Sequence, residues 1–284
     1  MVLFEKAPAK INLSLDILNK RSDGYHNVEM VMTTIDLADR ISLYPVQDTG
    51  ITVMADNQYV PNDERNLAYK AAELFKKTYR ISQGIHIHIE KNIPVSAGLG
   101  GGSSDAAAVL RGLRRLWNLE TVTTNDLADL GAEIGSDVPF CVYGHTALAT
   151  GKGETITSLP APPPCWVVLA RPDIGVSTRN VFPQLNVAQL PPPYTAGVMD
   201  ALKANNLDAL CAHIGNHLES VTLKMYPQVQ HIKSKMQQYN MPGVLMSGSG
   251  PTLYGLTPYY SKARRAYNGL SGFCHDVKLV RIMG

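Results

Sequence analysis

The sequence predicts an α+β fold in two domains, on three observations. Strand-type and helix-type periods mix along the chain without the regular βαβ alternation of a doubly wound sheet. The 284 residues, 45% of them hydrophobic, suffice for one large core or two modest ones. A proline run, Leu159-Pro-Ala-Pro-Pro-Pro164, is the stiffest stretch of mid-chain and sets the expected boundary, with residues 1–158 before it and 159–284 after it.

Taken in order, the first half reads as strands over 3–18, 28–44 and 50–55 and a helix over 64–79. Ile85-His86-Ile87-His88-Ile89-Glu90 alternates strictly, which predicts a strand with three isoleucines on its core face. A glycine-rich segment follows, Pro94 to Asp105, holding Gly98, Gly100, Gly101 and Gly102. Beyond it Ala106, Val109, Leu110, Leu113, Leu116 and Trp117 recur on one helical face. Ser103 or Ser104 suits the N-cap, Asp105 falls in the first turn, and Arg111, Arg114 and Arg115 come late, the order a helix dipole favours. Leu127, Leu130 and Ile134 predict a second helix over 124–134 with Gly135 as its stop, and Pro139 suits the start of another. In the second half, 165–170 reads as a buried strand and 206–220 and 226–239 as helices. Val244-Leu-Met246 and Thr252-Leu-Tyr254 read as short strands, 259–270 as a helix and 276–282 as a closing strand.

Strand, glycine-rich loop and helix start make a phosphate cradle. Glycines tolerate positive φ, so the main chain can curl around an anion, and the new helix adds unpaired N–H donors and a positive dipole end. Known loop patterns narrow the choice. The P-loop fails, since Gly151-Lys152 is followed by Gly153, not Ser or Thr. The dinucleotide fingerprint fails because Ser103 stands where its third glycine belongs, and no G-x-S-x-G elbow is present.

Pro94-Val-Ser-Ala-Gly98-Leu-Gly100-Gly-Gly-Ser103-Ser104 resembles the central ATP loop of the superfamily that includes galactokinase, homoserine kinase, mevalonate kinase and phosphomevalonate kinase. Ala7-Pro-Ala-Lys10-Ile-Asn12-Leu13 is similar to its first motif, and Met246-Ser-Gly-Ser-Gly-Pro-Thr252 to its third, in the right order. Arg21-Ser-Asp-Gly-Tyr25-His26 and Gly135-Ser-Asp137-Val-Pro139 resemble the branch that phosphorylates a cytidine diphosphate derivative of methylerythritol, on the non-mevalonate route to isoprenoid precursors. The resemblance implies a ribosomal-protein-S5-like first domain and a ferredoxin-like second one, with the active site in the cleft between them. It implies ATP as phosphoryl donor, Mg²⁺ with it, and a tertiary alcohol as acceptor. It assigns Val95, Ser96, Ala97, Gly98, Leu99, Gly100, Gly101, Gly102, Ser103, Ser104 and Asp105 to ATP, with Asn66 and Lys91 beside the nucleotide.

Phosphoryl transfer asks protein groups to position reactants, neutralise charge and take a proton from the attacking hydroxyl. Asp137 is the candidate base, in a turn between two helices, and Lys10 the candidate cation. A cation nearby would keep such a carboxylate ionised at neutral pH. Asn12 shares Lys10's strand face and suits substrate or Lys10 as hydrogen-bond partner. Tyr25 and His26, after the Asp23-Gly24 turn, suit a flat heterocycle such as cytosine. Thr178 and Phe182, in Val176-Ser-Thr-Arg-Asn-Val-Phe182, follow by a looser correspondence, Phe182 as a second stacking ring. No dedicated protein ligand for Mg²⁺ stands out.

Competing readings are a superfamily kinase or diphosphate decarboxylase acting on another small alcohol, a catalytically silent binding relative, and a zinc-dependent hydrolase. The last would use His86, His88 and Glu90, at i, i+2 and i+4 of one strand face. A net charge of +2, with 26 basic and 24 acidic residues and no basic block, argues against nucleic acid as partner. Cys141, Cys165, Cys211 and Cys274 show no C-x-x-C spacing and read as reduced thiols. The start of the chain shows no signal-peptide apolar region and no stretch is of membrane-spanning length, so the expectation is a cytoplasmic protein acting on a small molecule.

Overall fold

Two long strands, β1 (Leu3–Lys20) and β2 (His26–Val46), run through the first part of the chain. The structure, a computed structural model, describes residues 2–283. They group into two units: the chain through Ala9 with Leu37–Val95 and Gly100–Gly144, and Lys10–Asp36 with Ser96–Leu99 and everything from His145 on. Both long strands contribute residues to each unit.

In the first unit the later elements are β3 (Ile51–Ala55), α1 (Leu67–Thr78), β4 (Gly84–Glu90), α2 (Gly101–Leu116), α3 (Thr124–Ile134) and α4 (Val138–Tyr143). The strands lie in the order β3-β4-β2-β1. β4 runs antiparallel to β2, Ile41 opposite Ile89 and Leu43 opposite Ile87, and parallel to β3. The alternation in 85–90 is thereby explained: Ile85, Ile87 and Ile89 are fully buried with Ile41 and Leu43. Each such side chain stabilises the fold by about 1.5–3 kcal/mol. Helix α1 buries Ala68, Ala71, Ala72 and Phe75, and α2 buries Ala106 to Leu110 and Leu113. A Cβ at Gly112 would stand 2.5 Å from Leu43 Cδ1, so the missing side chain sets how closely α2 approaches the sheet. Helix α3 opens with a reciprocal capping box between Thr123 and Asp126 and ends at Gly135, as its sequence predicts.

Helix α2 begins earlier than the sequence indicates. Its N-cap is Gly100, in the left-handed region at φ 69°, not Ser103 or Ser104. Asp105 is then the fifth helical residue, past the first turn, and Ser104 Oγ donates to the Pro8 carbonyl at 2.7 Å. Serine outranks glycine as a cap in general, but here the backbone needs positive φ, which glycine adopts without strain.

The second unit adds β5 (Thr146–Thr150), β6 (Thr155–Ser158), β7 (Trp166–Arg171), α5 (Thr178–Val181), α6 (Thr195–Lys203), α7 (Leu207–His213), β8 (Gly215–Asn216), α8 (Glu219–Met225), α9 (Pro227–Gln238), β9 (Gly243–Met246), β10 (Leu253–Thr257), α10 (Tyr260–Ser271) and β11 (Asp276–Arg281). A four-stranded antiparallel sheet lies in the order β11-β7-β10-β9. Helical connections from β7 to β9, a β9–β10 hairpin, and α10 leading into β11 make the β-α-β-β-α-β plan of the ferredoxin-like motif. Within this unit β5 pairs with β2 and β6, and β8 pairs in parallel with β1.

The expected helix over 206–220 is broken. Ile214 to Asn216 extend so that Gly215 pairs with Ser14, and the His217 N–H bonds the Leu15 carbonyl at 2.9 Å. A long-range strand pairing overrides local helical preference there. Strands β5 and β6 and helix α6 carry no strong periodic signal and escape the sequence reading.

Because Leu43 is fully buried beneath Gly112, Gly112→Val overpacks this contact. The expected loss is about 1–3 kcal/mol, read as a lower thermal midpoint. An unchanged midpoint would contradict the close packing of α2 on the sheet.

Candidate active site

The glycine-rich segment turns through left-handed residues at alternate positions: Ser96 at φ 53°, Gly98 at φ 75° and Gly100 at φ 69°. Such alternation aims successive N–H groups toward one concavity. Three carbonyls in this curve are committed elsewhere. Leu99 O accepts from the Lys10 N–H at 3.0 Å, Gly98 O from Ser247 Oγ at 2.9 Å, and Ala97 O from the Thr252 N–H at 3.4 Å. These are the acceptors that Gly101, Gly102 and Ser103 would use were the helix one turn longer. The first N–H groups of α2 thus have no partner inside the helix, and its N-cap supplies no side-chain hydrogen bond. An anion is what such an end binds.

At Gly98 an added Cβ would lie 2.2 Å from the Ser247 carbonyl oxygen, so only glycine fits against the third motif. Gly101 faces inward: its Cβ position is 3.0 Å from Ile93 Cγ2 and 3.4 Å from Lys91 Nζ. Gly102 is open, with only Leu67 Cδ1 at 3.6 Å, and lies exposed at the helix start.

Lys91, Asp39 and Asp105 form a buried cluster within the first unit. The Lys91 ammonium, with a side chain 4% exposed, donates to Asp39 at 2.5 Å and to Asp105 at 2.7 Å. Asp39 also accepts from the N–H groups of Asn92 and Ile93. Asp105 Oδ1 is buried without a hydrogen-bond partner among the described residues. Burial pushes the Asp105 carboxyl up, Lys91 pulls it down, the Asp39 charge adds to the push, and it stands at about 7. Burial works against the Lys91 ammonium, but Asp105 and then Asp39 more than offset it and raise its pKa. Lys91 and Asp105 are therefore engaged with one another. Asn66, also expected near the nucleotide, caps α1 by accepting from the Ala68 N–H at 2.9 Å and donates to the Pro61 carbonyl at 2.7 Å.

Lys10 projects from β1 in the second unit, 4% exposed, and donates to Asn12 Oδ1 at 2.7 Å. The Asn12 carbonyl accepts from the Tyr254 hydroxyl at 2.8 Å, which anchors this part of β1. Asp137, half-buried in the first unit, is the N-cap of α4, with Pro139 in that helix's first turn. Its side chain makes no cap hydrogen bond.

In the second unit the rings of His26 and Phe182 lie 5.3 Å apart at 40°. Burial first, and the Lys20 ammonium second, lower the His26 pKa below the usual histidine value. Tyr25 is 63% exposed, with Lys152 Nζ 5.3 Å from its ring centroid. Thr178 Oγ1 and Ser249 Oγ are 3.0 Å apart.

The zinc reading loses its ligands. His86 Nδ1 is 2.8 Å from Thr52 Oγ1, and Glu90 lies 3.7 Å from the Arg40 guanidinium. Among the described residues no three His, Cys, Asp or Glu side chains are gathered to hold a metal. Exposed polar groups on a half-buried strand face account for this pattern. The cysteines are all buried, and burial pushes Cys165 up to about 12 and Cys211 up to about 11.

Sequence reasoning missed Asp39 and Ser247. Each bonds partners distant in the chain; for Ser247 a faint signal existed in the motif that contains it.

Residues 66–145 match the GHMP kinases N terminal domain and residues 198–276 the GHMP kinases C terminal domain. The chain is 60% identical over its whole length to 4-diphosphocytidyl-2-C-methyl-D-erythritol kinase of Geobacillus sp. (strain WCH70), covering 98% of that protein. It is 56% identical, again over its whole length and 98% of the relative, to the enzyme of the same name from Bacillus subtilis (strain 168). A crystal structure of 4-(cytidine 5'-diphospho)-2C-methyl-D-erythritol kinase superposes with TM-score 0.84 at 33% identity, over 99% of this chain and all of that one. Homoserine kinase from Cytophaga hutchinsonii shares the fold at TM-score 0.79 and 18% identity, over 99% of this chain and 94% of that one.

The Asp105 cluster yields a pH prediction. Folding raises this carboxyl from 3.8 to about 7, so between those values the folded chain holds a proton that the unfolded chain has released. The group's cost to stability is absent below the lower value, grows with pH and is full above the upper one. Asp105→Asn removes it. The thermal midpoint of the variant relative to the parent should therefore rise from pH 5 to about pH 7 and level off above it. A difference independent of pH would contradict the account.

Proposed function

The chain belongs to the GHMP kinases and, among them, to the 4-diphosphocytidyl-2-C-methyl-D-erythritol kinases, and from that membership we propose how it works. It transfers the γ-phosphoryl group of ATP to the 2-hydroxyl of 4-diphosphocytidyl-2-C-methyl-D-erythritol, in the non-mevalonate route to isoprenoid precursors. The observation that carries this reading is the full-length identity to kinases of that name.

The chemistry divides among the chain's own groups. Backbone N–H groups between Gly98 and Ser104 hold the phosphates at the start of α2, where unpaired donors and the dipole favour anions. Asp137 accepts the proton of the attacking hydroxyl. The acceptor oxygen then forms its bond to the γ-phosphorus, the bond from that phosphorus to the β–γ bridging oxygen breaks, and ADP leaves with the electron pair. Lys10, steadied by Asn12, offsets negative charge as the alkoxide develops. His26 and Phe182 flank the cytosine, and the lowered His26 pKa keeps the imidazole neutral and able to stack or accept a hydrogen bond. Tyr25 and Thr178 line the same acceptor site. Lys91 and Asp105 serve the nucleotide from beneath the helix start, not by direct contact, and Asn66 does so by fixing α1.

Mg²⁺ enters with ATP and screens its phosphates. When bound, the ion would supply positive charge to the phosphate oxygens during transfer, as Mg²⁺ commonly does beside phosphates, water and one or two carboxylates. We place the reaction in the cytoplasm; no helix of the described residues is long and apolar enough to cross a membrane.

Incubating the protein with Mg·ATP and the cytidylated methylerythritol, mevalonate or homoserine in parallel tests the substrate. ADP release with the first alone is expected, and release with only another would overturn the assignment. Asp137→Asn should lower kcat by about 10²–10⁴ with ATP still bound, the usual worth of a positioned base; near-normal turnover removes Asp137 from that role. Gly102→Ala fits the folded chain, since the nearest atom is 3.6 Å from the new methyl. It should nonetheless weaken ATP by about tenfold, one hydrogen bond to a charged group. Calorimetry showing undiminished affinity would count against backbone approach at this position.

A further inference from the structure

Asn216 ends the short strand β8, which pairs with β1 at Ser14↔Gly215 and Leu15↔Asn216. The residue is 4% exposed. Nδ2 donates to the Met246 carbonyl at 2.8 Å and to the Gly248 carbonyl at 2.7 Å. Oδ1 accepts from the Leu218 N–H at 2.9 Å. One planar side chain therefore holds both ends of the Met246–Gly248 turn.

That turn touches two parts of the candidate site within the same unit. Ser247 Oγ donates to the Gly98 carbonyl at 2.9 Å. A Cβ added at Gly248, which has φ 56°, would lie 3.1 Å from Gly98 O and 3.6 Å from Lys10 Nζ. The adjoining residue is held separately: Thr222 Oγ1 donates to the Ser249 carbonyl at 3.2 Å, and Thr178 and Ser249 share a hydroxyl contact at 3.0 Å.

We infer that Asn216 is a positioning residue for phosphoryl transfer: by fixing the Met246–Gly248 turn it sets the Gly98 curve of the phosphate cradle relative to the Lys10 ammonium. The inference rests on the roles proposed above for that cradle and for Lys10. Its physical basis is the pair of buried carbonyl oxygens. Both need donors, and an amide supplies two while still accepting from Leu218. A carboxylate of the same shape keeps the Leu218 bond but turns oxygen toward oxygen at both carbonyls. The turn must then shift, and Gly98 shifts with it.

Asn216→Asp, Asn216→Ala and Lys10→Met test this together. Each is measured for kcat and for KM of both substrates, with rates normalised to nucleotide-binding sites counted by calorimetry, and for thermal unfolding. Asn216→Asp should lower kcat per binding site by about tenfold or more, and Asn216→Ala, which removes both donors to the turn without placing oxygen against oxygen, by about fivefold. KM for the acceptor alcohol should stay within about twofold in both. A purely structural role would instead lower the thermal midpoint and the number of binding sites while leaving kcat per site unchanged; that result overturns the inference. Should Asn216→Asp not fold, Asn216→Ala decides alone, an unchanged kcat per site again overturning it. Lys10→Met separates the two levels. If it turns over normally, the reading of the site itself fails; if it is inactive while the other two variants are normal, only the positioning role fails.

Discussion

The main chain cannot serve as donor and acceptor to itself at the start of α2, and the site depends on that constraint. Left-handed turns at Ser96, Gly98 and Gly100 divert the carbonyls of Ala97, Gly98 and Leu99 toward Thr252, Ser247 and Lys10. The helix cannot propagate backward, and its first amides are left to a ligand. Glycine is required at Gly98 for two reasons, its positive φ and the Ser247 carbonyl 2.2 Å from where a Cβ would stand. The proposed phosphate loop is built as much by what occupies its carbonyls as by its freedom of φ.

Charge beneath the loop follows the same economy. An anion site gains from nearby positive charge, yet a bare buried ammonium is costly. Lys91 lies 3.4 Å from the Cβ position of Gly101 and is held by Asp39, which takes two backbone N–H groups as well. Asp39 is thereby the better satisfied carboxylate. Asp105, with one oxygen unpartnered and its carboxyl raised to about 7, is the member that gains a proton, since two carboxylates around one ammonium cannot both stay charged cheaply.

Periodic segments were the legible part of the sequence. Ile85, Ile87 and Ile89 and the apolar stripe of α2 announce themselves because burial imposes a strict period. The glycine-rich segment was legible as a turn that needs positive φ, and Lys10 with Asn12, or His26 with Phe182, as pairs the structure brings together. What was illegible depends on distant partners. Asp39 meets Lys91 across 52 positions and Asn216 meets Met246 across 30, and neither residue type in its local context signals such a bond. The same reason broke the helix expected over 206–220, where β1 recruits Gly215. Local preference misplaced the α2 cap because serine is the commoner choice, and only the φ of Gly100 shows why glycine takes the position.

The most direct measurement is the backbone amide spectrum of the isotopically labelled protein during titration with Mg·ATP. If main-chain donors hold the phosphates, the N–H resonances of Gly98 and of Gly100 to Ser103 should shift most and become protected from solvent exchange at saturation, whereas Ser104, whose N–H already bonds the Gly100 carbonyl at 2.8 Å, should gain little protection. If those amides keep their shifts and exchange rates while nucleotide binds, the phosphates are held elsewhere and the account is contradicted.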